Sequence, residues 1–122
     1  MDTASQTLEA LLRAVHEVEW SMPGSSFSLT VRYVGDDHPY QSFPPGRDDP
    51  FTETGLRDPA FGNSGAIKFS EIEAVTVHNA PRHHPQSDLY LAKYAALLER
   101  VASIPRVSVG PDSVSFTRRF VP

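Results

Sequence analysis

The strongest constraint on the fold is a change in hydrophobic period within the first third of the chain. From residue 3 to about residue 19, apolar side chains recur at helical spacing with charged side chains opposite them. These apolar residues are Leu8, Leu11, Leu12, Val15 and Val18. From residue 27 to residue 33, apolar residues alternate with Ser28, Thr30 and Arg32, as in a strand with one buried face. The two patterns predict an amphipathic helix followed by a strand of a half-covered sheet.

Residues at both ends of the first helix predict its limits. Thr3 and Gln6 have the spacing of a capping box at the start. The Pro23-Gly24 pair is expected to end the segment. Trp20 is expected to close the apolar side of the helix.

The middle of the chain predicts one or two more strands and a second helix. Residues 66–78 are β-like, but a single strand of that length would run about 43 Å, so we expect a turn or bulge near residues 70–73. The second helix is expected to begin with Ser87 as its N-cap and to end before Pro105. Its expected apolar stripe consists of Leu91, Tyr94, Ala95, Leu98 and Val101.

The end of the chain is typical of a β-hairpin. Val107 and Val109 precede a turn at residues 110–112, and Val114 and Phe116 alternate with polar residues after it. The predicted order is therefore α, β, a long loop, one or two β, α, β, β. For a chain of 122 residues, this order of elements predicts one α+β domain with a four- to five-stranded, mainly antiparallel sheet on which both helices pack. This order is similar to that of bacterial secretion chaperones.

Residues 35–65 form the long loop, which carries all of the excess negative charge. The segment holds six acids and two arginines, and its net charge of -4 equals that of the whole chain. It also holds five of the eleven prolines, five of the seven glycines and four of the twelve aromatic residues. Purely solvated linkers are poor in aromatic residues, so we expect the loop to pack on its own domain or to bind a partner, with disorder as the third alternative.

The charge and the aromatic rings of this loop favour a protein partner with a basic surface. The residues expected to contact it are Asp36, Asp37, Tyr40, Phe43, Asp48, Asp49, Phe51 and Asp58. An acidic chain does not suit nucleic acid, whose affinity depends on Lys and Arg. No apolar run approaches the ~20 residues of a membrane span, acids stand where a signal peptide needs positive charge, and cysteine is absent. We therefore expect a cytoplasmic protein that binds neither nucleic acid nor membrane.

Four of the five histidines are candidates for a ligand or metal site. They are His38, His78, His83 and His84. Neutral imidazole is a common metal ligand and a common acid or base. Three of the four lie in the connection before the second helix, but their spacing matches neither HxH nor HExxH. A solvated strand-to-helix connection is the simpler interpretation, and no cofactor is expected.

No catalytic signature stands out in the sequence. Residues 62–66, GNSGA, resemble over five positions the GDSGG run around the nucleophile of trypsin-like serine proteases, but Asn63 and Ala66 depart from it. The chain is also too short for the two-barrel fold of that family. We therefore lean against an enzyme.

Three functional hypotheses follow. The first is a non-catalytic interaction protein of the inhibitor, immunity or chaperone kind, which docks a partner on the acidic loop and the adjacent sheet or helix surface. The alternative is a small enzyme or ligand-binding protein with a histidine-containing pocket between the sheet and the loop. The third is a homodimer that associates through the second helix.

Overall fold

The computed structural model describes residues 2–57, 66–78 and 87–120, in which two α-helices cover one face of a five-stranded sheet. The helices are α1 (Thr3–Ser21) and α2 (Ser87–Val101). The strands are β1 (Ser28–Tyr33), β2 (Tyr40–Ser42), β3 (Gly55–Leu56), β4 (Ile67–Lys68), β5 (Ile72–His78), β6 (Ser108–Val109) and β7 (Ser113–Thr117). Short 3-10 helices follow β4 (Phe69–Glu71) and β7 (Arg118–Phe120). Neither of the two described α-helices is long and apolar enough to cross a membrane.

The main sheet has the order β2-β1-β5-β7-β6, and every neighbouring pair is antiparallel. β3 and β4 form a separate two-stranded sheet. The predicted α+β fold is confirmed. The fifth strand of the main sheet comes from within the acidic loop.

The alternating pattern of β1 builds the centre of the core. Its apolar residues continue across two neighbouring strands in register, because antiparallel partners point to the same face. One row is Leu29, Val77 and Val114, and the next is Val31, Val75 and Phe116. All six side chains are fully buried beneath the helices. The helical period predicted for α1 is confirmed in the same way, since its five apolar residues are also buried.

The predicted interruption of residues 66–78 is confirmed. β4 ends at Lys68, a 3-10 turn covers the next three residues, and β5 starts at Ile72. Phe69 and Ile72 are both fully buried, whereas Glu71 is exposed. A continuous strand would alternate faces with a period of two and could not place both apolar side chains in one core.

The start of α1 differs from the predicted capping box. Asp2 is the N-cap, and its Oδ1 accepts a hydrogen bond from the backbone N–H of Ser5 at 2.7 Å. Thr3 is already the first residue of the helix, so the predicted cap is wrong by one position. An ionised carboxylate is a better acceptor than a hydroxyl at the positive end of a helix.

The limits of α2 and of the final hairpin agree with the sequence. α2 begins at Ser87 and ends at Val101, before Pro105. The side chain of Ser87, and with it the predicted capping role, lies outside the described residues. The turn between β6 and β7 closes with a hydrogen bond from the N–H of Gly110 to the carbonyl of Ser113.

The buried face of α2 differs from the predicted stripe. Leu91 and Ala95, which were expected in the core, are exposed. The side chains that α2 buries are Tyr90, Lys93, Tyr94, Leu97 and Val101. The helix is turned by about 100°, the angle of one residue, because two polar groups find partners inside. The hydroxyl of Tyr90 donates to the carbonyl of His78, and the ammonium of Lys93 meets a carboxylate.

A buried ion pair joins the two helices to the start of β1. Nζ of Lys93 lies 3.1 Å from Oε1 of Glu19, and both side chains are almost completely buried. The same carboxylate oxygen accepts the N–H of Phe27 at 3.0 Å, and Lys93 also donates to the carbonyl of Ser25 at 3.2 Å. The pair therefore fixes α1, α2 and the connection between α1 and β1 at one point.

We predict that Asp2→Ala lowers the free energy of unfolding by about 1 kcal/mol, whereas Thr3→Ala has little effect. The hydrogen bonds from Ser5, followed by the charge of Arg118, hold the pKa of Asp2 below its ordinary value of 3.8. A lowered folded-state pKa stabilises the protein above the unfolded-state value, and this stabilisation is lost as the pH falls through the lowered value. Urea denaturation at neutral and acidic pH measures both effects. Equal costs of the two substitutions would contradict the assigned cap.

We also predict that Lys93→Met lowers the free energy of unfolding by about 3 to 5 kcal/mol, because the carboxylate of Glu19 would stay buried without its cation. The double variant Glu19→Leu with Lys93→Met should recover much of that loss, since it removes both charges. The matched control is Arg100→Met, which breaks the exposed pair between Arg100 and Glu17 and should cost less than about 1 kcal/mol. Urea denaturation followed by circular dichroism compares the three variants. If the Lys93 and Arg100 variants cost the same, the buried pair does not have the role assigned to it.

Candidate functional site

The described part of the acidic loop, residues 35–57, is folded against α1 and the sheet. β2 pairs with β1 at the edge of the main sheet, and β3 pairs with β4. Strands of three and two residues are too short to show a hydrophobic period, which is why the sequence predicted no regular structure here. At Gly55 in β3 a Cβ atom would lie 1.9 Å from the carbonyl oxygen of Ile67, so the close pairing of β3 with β4 requires glycine.

Buried apolar residues hold the middle of the loop in place. Phe51, Pro44, Pro45 and Pro50 are buried. The N–H of Arg57 donates to the carbonyl of Pro50 at 2.8 Å, which closes the segment between them. The loop therefore has a defined conformation over these residues and presents a fixed surface.

An open groove of about 570 Å³ lies between the outer face of α1 and this loop. Its lining residues are Arg13, His16, Glu17, Trp20, Ser21, Arg47, Asp49 and Phe51. Five of them belong to α1, and four of these lie at positions 13, 16, 17 and 20, a spacing that places them on one face of the helix. The groove thus combines a helix face with one side of the loop.

Four contacts between α1 and the loop shape the groove. The ring of His16 meets the ring of Phe51 edge to face at 5.6 Å, and its Nε2 lies 3.2 Å from the carbonyl oxygen of Arg47. The guanidinium of Arg13 lies 4.3 Å from the centre of the Phe51 ring, a cation–π contact. Nε1 of Trp20 donates to the carbonyl of Pro45 at 2.8 Å.

Trp20 does not close the apolar side of α1, so that expectation is wrong. Its side chain is 47% exposed and faces the groove. The indole N–H needs a hydrogen-bond acceptor, and the loop carbonyl of Pro45 supplies one at the helix surface. The ring is held in one orientation while much of its surface stays open to solvent.

The charges in the groove are partly neutralised by neighbours. Arg13 pairs with Glu9 at 2.8 Å, and Glu17 pairs with Arg100 at 2.5 Å. Within the described ranges, the guanidinium of Arg47 has no ionic partner. The carboxylate of Asp49 also lines the groove and has no ionic partner among the described residues, so it balances Arg47 and the groove is close to neutral.

Asp36 and Tyr40 form a small hydrogen-bonded unit beside the sheet edge. Oδ1 of Asp36 accepts the N–H of His38 at 2.8 Å, and Oδ2 accepts the hydroxyl of Tyr40 at 2.9 Å. These bonds lower the pKa of Asp36, and the same carboxylate, together with burial, raises the pKa of Tyr40. Asp36 therefore acts mainly in the geometry of the turn, whereas its neighbour Asp37 is exposed.

The eight residues expected to contact a partner have different environments. Phe43 is 65% exposed, and Asp48 is exposed. Asp49 lines the groove, and one of its oxygens accepts the N–H of Phe51 at 3.2 Å. Phe51 is buried as the floor of the groove and holds the loop to α1. Asp58 lies outside the described residues.

The candidate histidines do not meet at one site in the described part of the chain. His38 is exposed and contacts the ring of Tyr40 edge to face at 4.7 Å. Nε2 of His78 lies 2.8 Å from Oγ1 of Thr30 on the neighbouring strand. His83 and His84, like most of the GNSGA run, lie outside the described residues. Among the residues that the structure describes, no three His, Asp or Glu side chains come together as a metal site.

The sequence patterns predicted no role for His16, which is the histidine that contacts the loop. His16 lies on the polar face of α1, whereas the hydrophobic period identifies only the residues of the apolar face. The helical spacing of Arg13, His16, Glu17 and Trp20 was the available signal, since it collects charge and an aromatic ring on one outward face.

The outward face of the sheet, opposite the helices, carries small polar side chains. One row crosses all five strands of the main sheet in register and consists of Gln41, Thr30, Thr76, Ser115 and Ser108. None of these five is buried. A solvated sheet face accounts for polar residues at alternate positions, and it also holds the hydrogen-bonded pair of His78 and Thr30.

Comparison with known proteins found no family model, no curated protein and no solved structure that matches this chain.

We predict that Phe51→Ala lowers the free energy of unfolding by about 3 kcal/mol and moves the emission of Trp20, the single tryptophan, to longer wavelength. The ring of Phe51 holds the loop to α1, so its loss should expose the indole to water. Phe43→Ala is the matched control, because that ring is mostly exposed and its loss should change stability by less than about 0.5 kcal/mol. Urea denaturation and fluorescence measure both. A Phe51 variant as stable as the Phe43 variant would show that the loop is held by other contacts.

Proposed function

We propose that this protein is a non-catalytic interaction module, of the inhibitor, immunity or chaperone kind, which binds a partner protein at the groove between α1 and the acidic loop. The observation that carries the proposal is the exposure of the Trp20 ring together with its fixed orientation. Its ring is half exposed at the groove, and its indole N–H is already bound to the loop. Tryptophan and arginine are the residues most enriched among those that dominate binding energy at protein interfaces.

The fixed conformation of the loop supports this proposal. Ordering a flexible loop on binding costs free energy, and a loop that is folded beforehand avoids that cost. Pairing of β2 with β1, burial of Phe51 and the bond from Trp20 to Pro45 fix the loop in the free protein. A partner would therefore meet a surface that is already assembled.

The chemistry around the groove indicates what kind of partner surface fits. The groove floor is apolar at Phe51, and Phe43 is exposed on the same loop. Residues 35–57 carry five acids and two arginines, and the exposed acids include Asp37, Asp48 and Glu53. A partner with an apolar side chain for the groove and basic residues around it is complementary to this surface. Charges at such a rim mainly increase the rate of association.

A second candidate function is supported by one specific contact. The 2.8 Å bond between Nε2 of His78 and Oγ1 of Thr30 pairs a base with a hydroxyl, as in enzymes that use a hydroxyl nucleophile. Such sites also need a group that orients the histidine. Among the hydrogen bonds of the described residues, none places a carboxylate on the His78 ring. A cross-strand bond on a solvated sheet face is sufficient to explain this pair, so the interaction module is favoured.

The proposed function is tested with tagged full-length protein and three variants in affinity capture from the native lysate. Trp20→Ala and Phe43→Ala should each weaken capture of a stoichiometric partner by about tenfold or more, the effect of removing a dominant interface residue. Leu89→Ala is the matched control, because the exposure of Leu89, 44%, is close to that of Trp20, but Leu89 lies on α2 and does not line the groove. It should capture the partner as well as the native chain. A partner that the Trp20 and Phe43 variants retain would refute the proposed surface.

The charge part of the proposal is tested separately with the purified partner. Asp37→Asn with Asp48→Asn should slow association and reduce its dependence on salt, with little change in the dissociation rate. Surface plasmon resonance at two salt concentrations measures these rates. If the association rate and its salt dependence stay the same, the partner does not use the acids of the loop.

A further inference from the structure

The side of α2 that the prediction placed in the core forms an exposed apolar stripe. Leu91, Ala95, Leu98 and Ala102 follow one another at intervals of four, three and four residues, so they lie along one side of the helix. Leu91 is 50% exposed, Ala95 and Ala102 are exposed, and Leu98 is half-buried. We call these four residues the α2 stripe.

The α2 stripe points away from α1. Lys93 and Arg100 pair with residues of α1, and each lies two positions from a leucine of the stripe. Two positions correspond to about 200° around a helix, so the stripe and α1 are on opposite sides of α2. Among the described elements, α1 and the sheet pack on the other sides and leave the stripe uncovered.

We propose that the α2 stripe packs against the same stripe of a second copy of this chain, with the two helices antiparallel. Large and small residues alternate along the stripe, so two antiparallel copies of the stripe are complementary in shape. In a two-fold pair centred between positions 96 and 97, Leu91 of one copy faces Ala102 of the other, and Ala95 faces Leu98. Each leucine therefore meets an alanine, and each contact occurs twice, as the symmetry of a two-fold interface requires.

The charges at the ends of the stripe are complementary in the same arrangement. Asp88 lies in the first turn of α2, and Arg106 follows its last turn. Both side chains are exposed, and neither forms an ion pair with a described residue. α2 ends at Val101 and Arg106 follows it within a turn, so an antiparallel pair places Asp88 of each copy at the same end of the helix pair as Arg106 of the other. Two attractive contacts then form between chains that each carry a net charge of -4, and they favour this partner and this orientation.

The second copy leaves the groove between α1 and the loop open, because the stripe lies on the opposite side of α2 from α1. The dimer would present two separate grooves. The inference does not depend on the proposed function, and either can fail without the other.

Sedimentation velocity of the full chain over a wide range of micromolar concentrations tests the inference. The native protein should reach a mass twice the 13.5 kDa of one chain. Leu91→Glu should remain a monomer at every concentration, with an unchanged circular dichroism spectrum. The matched control is Leu89→Glu, which changes a residue of similar exposure on the same helix outside the stripe and should still form dimers. A native chain that stays monomeric, or a Leu91 variant that still forms dimers, would overturn the inference.

A charge exchange keeps the test decisive if the Leu91 variant does not fold. Asp88→Arg alone and Arg106→Asp alone should each raise the dimer dissociation constant several-fold, because each places like charges together. The double variant should return it to near the native value. If the double variant associates no better than the single ones, the antiparallel register is wrong.

Discussion

The buried pair between Glu19 and Lys93 is the interaction on which the arrangement of both helices depends. One carboxylate binds the ammonium of Lys93 and the N–H of Phe27, so α1, α2 and the first strand meet at one charged point. A charge inside a protein is costly unless it is paired and hydrogen-bonded, and this pair is both. A slide or rotation of α2 would separate the charges, so the pair restricts α2 to one orientation. That orientation turns Leu91 outward and gives α2 its exposed apolar side.

Sequence patterns predicted those parts of the fold in which burial follows residue type. The alternation around Leu29 and Val31 identified β1, and the change of parity between Phe69 and Ile72 identified the interruption before β5. The glycine and proline turn after Val109 identified the last hairpin. In β1, β5 and β7 the apolar side chains are the ones that the core buries, so the period of the sequence equals the period of the structure. β6 is the exception, because Val109 lies at the sheet edge and is 53% exposed.

The remaining features depend on contacts between residues far apart in the chain. No local pattern indicates that Lys93 is buried, because its partner is on the other helix. The strands within the acidic loop form only because β1 and β4 offer them an edge. The groove was expected between the loop and the sheet, but it lies between the loop and α1, where His16 and Trp20 bind loop carbonyls. Such long-range hydrogen bonds cannot be inferred from the spacing of residues.

β2 also covers the edge of β1, one of the most apolar strands of the sheet. The backbone of β1 would otherwise present unpaired N–H and carbonyl groups, which attract strands of other molecules. β2 is itself the last strand of the sheet, but it has only three residues and belongs to the acidic segment. The edge that it presents is therefore short, and the acidic segment of another copy is repelled from that edge. We expect any substitution that loosens residues 40–42 to lower solubility as well as to change the surface proposed for binding. The loop thus couples the surface proposed for recognition to the conditions under which the protein stays dispersed in solution.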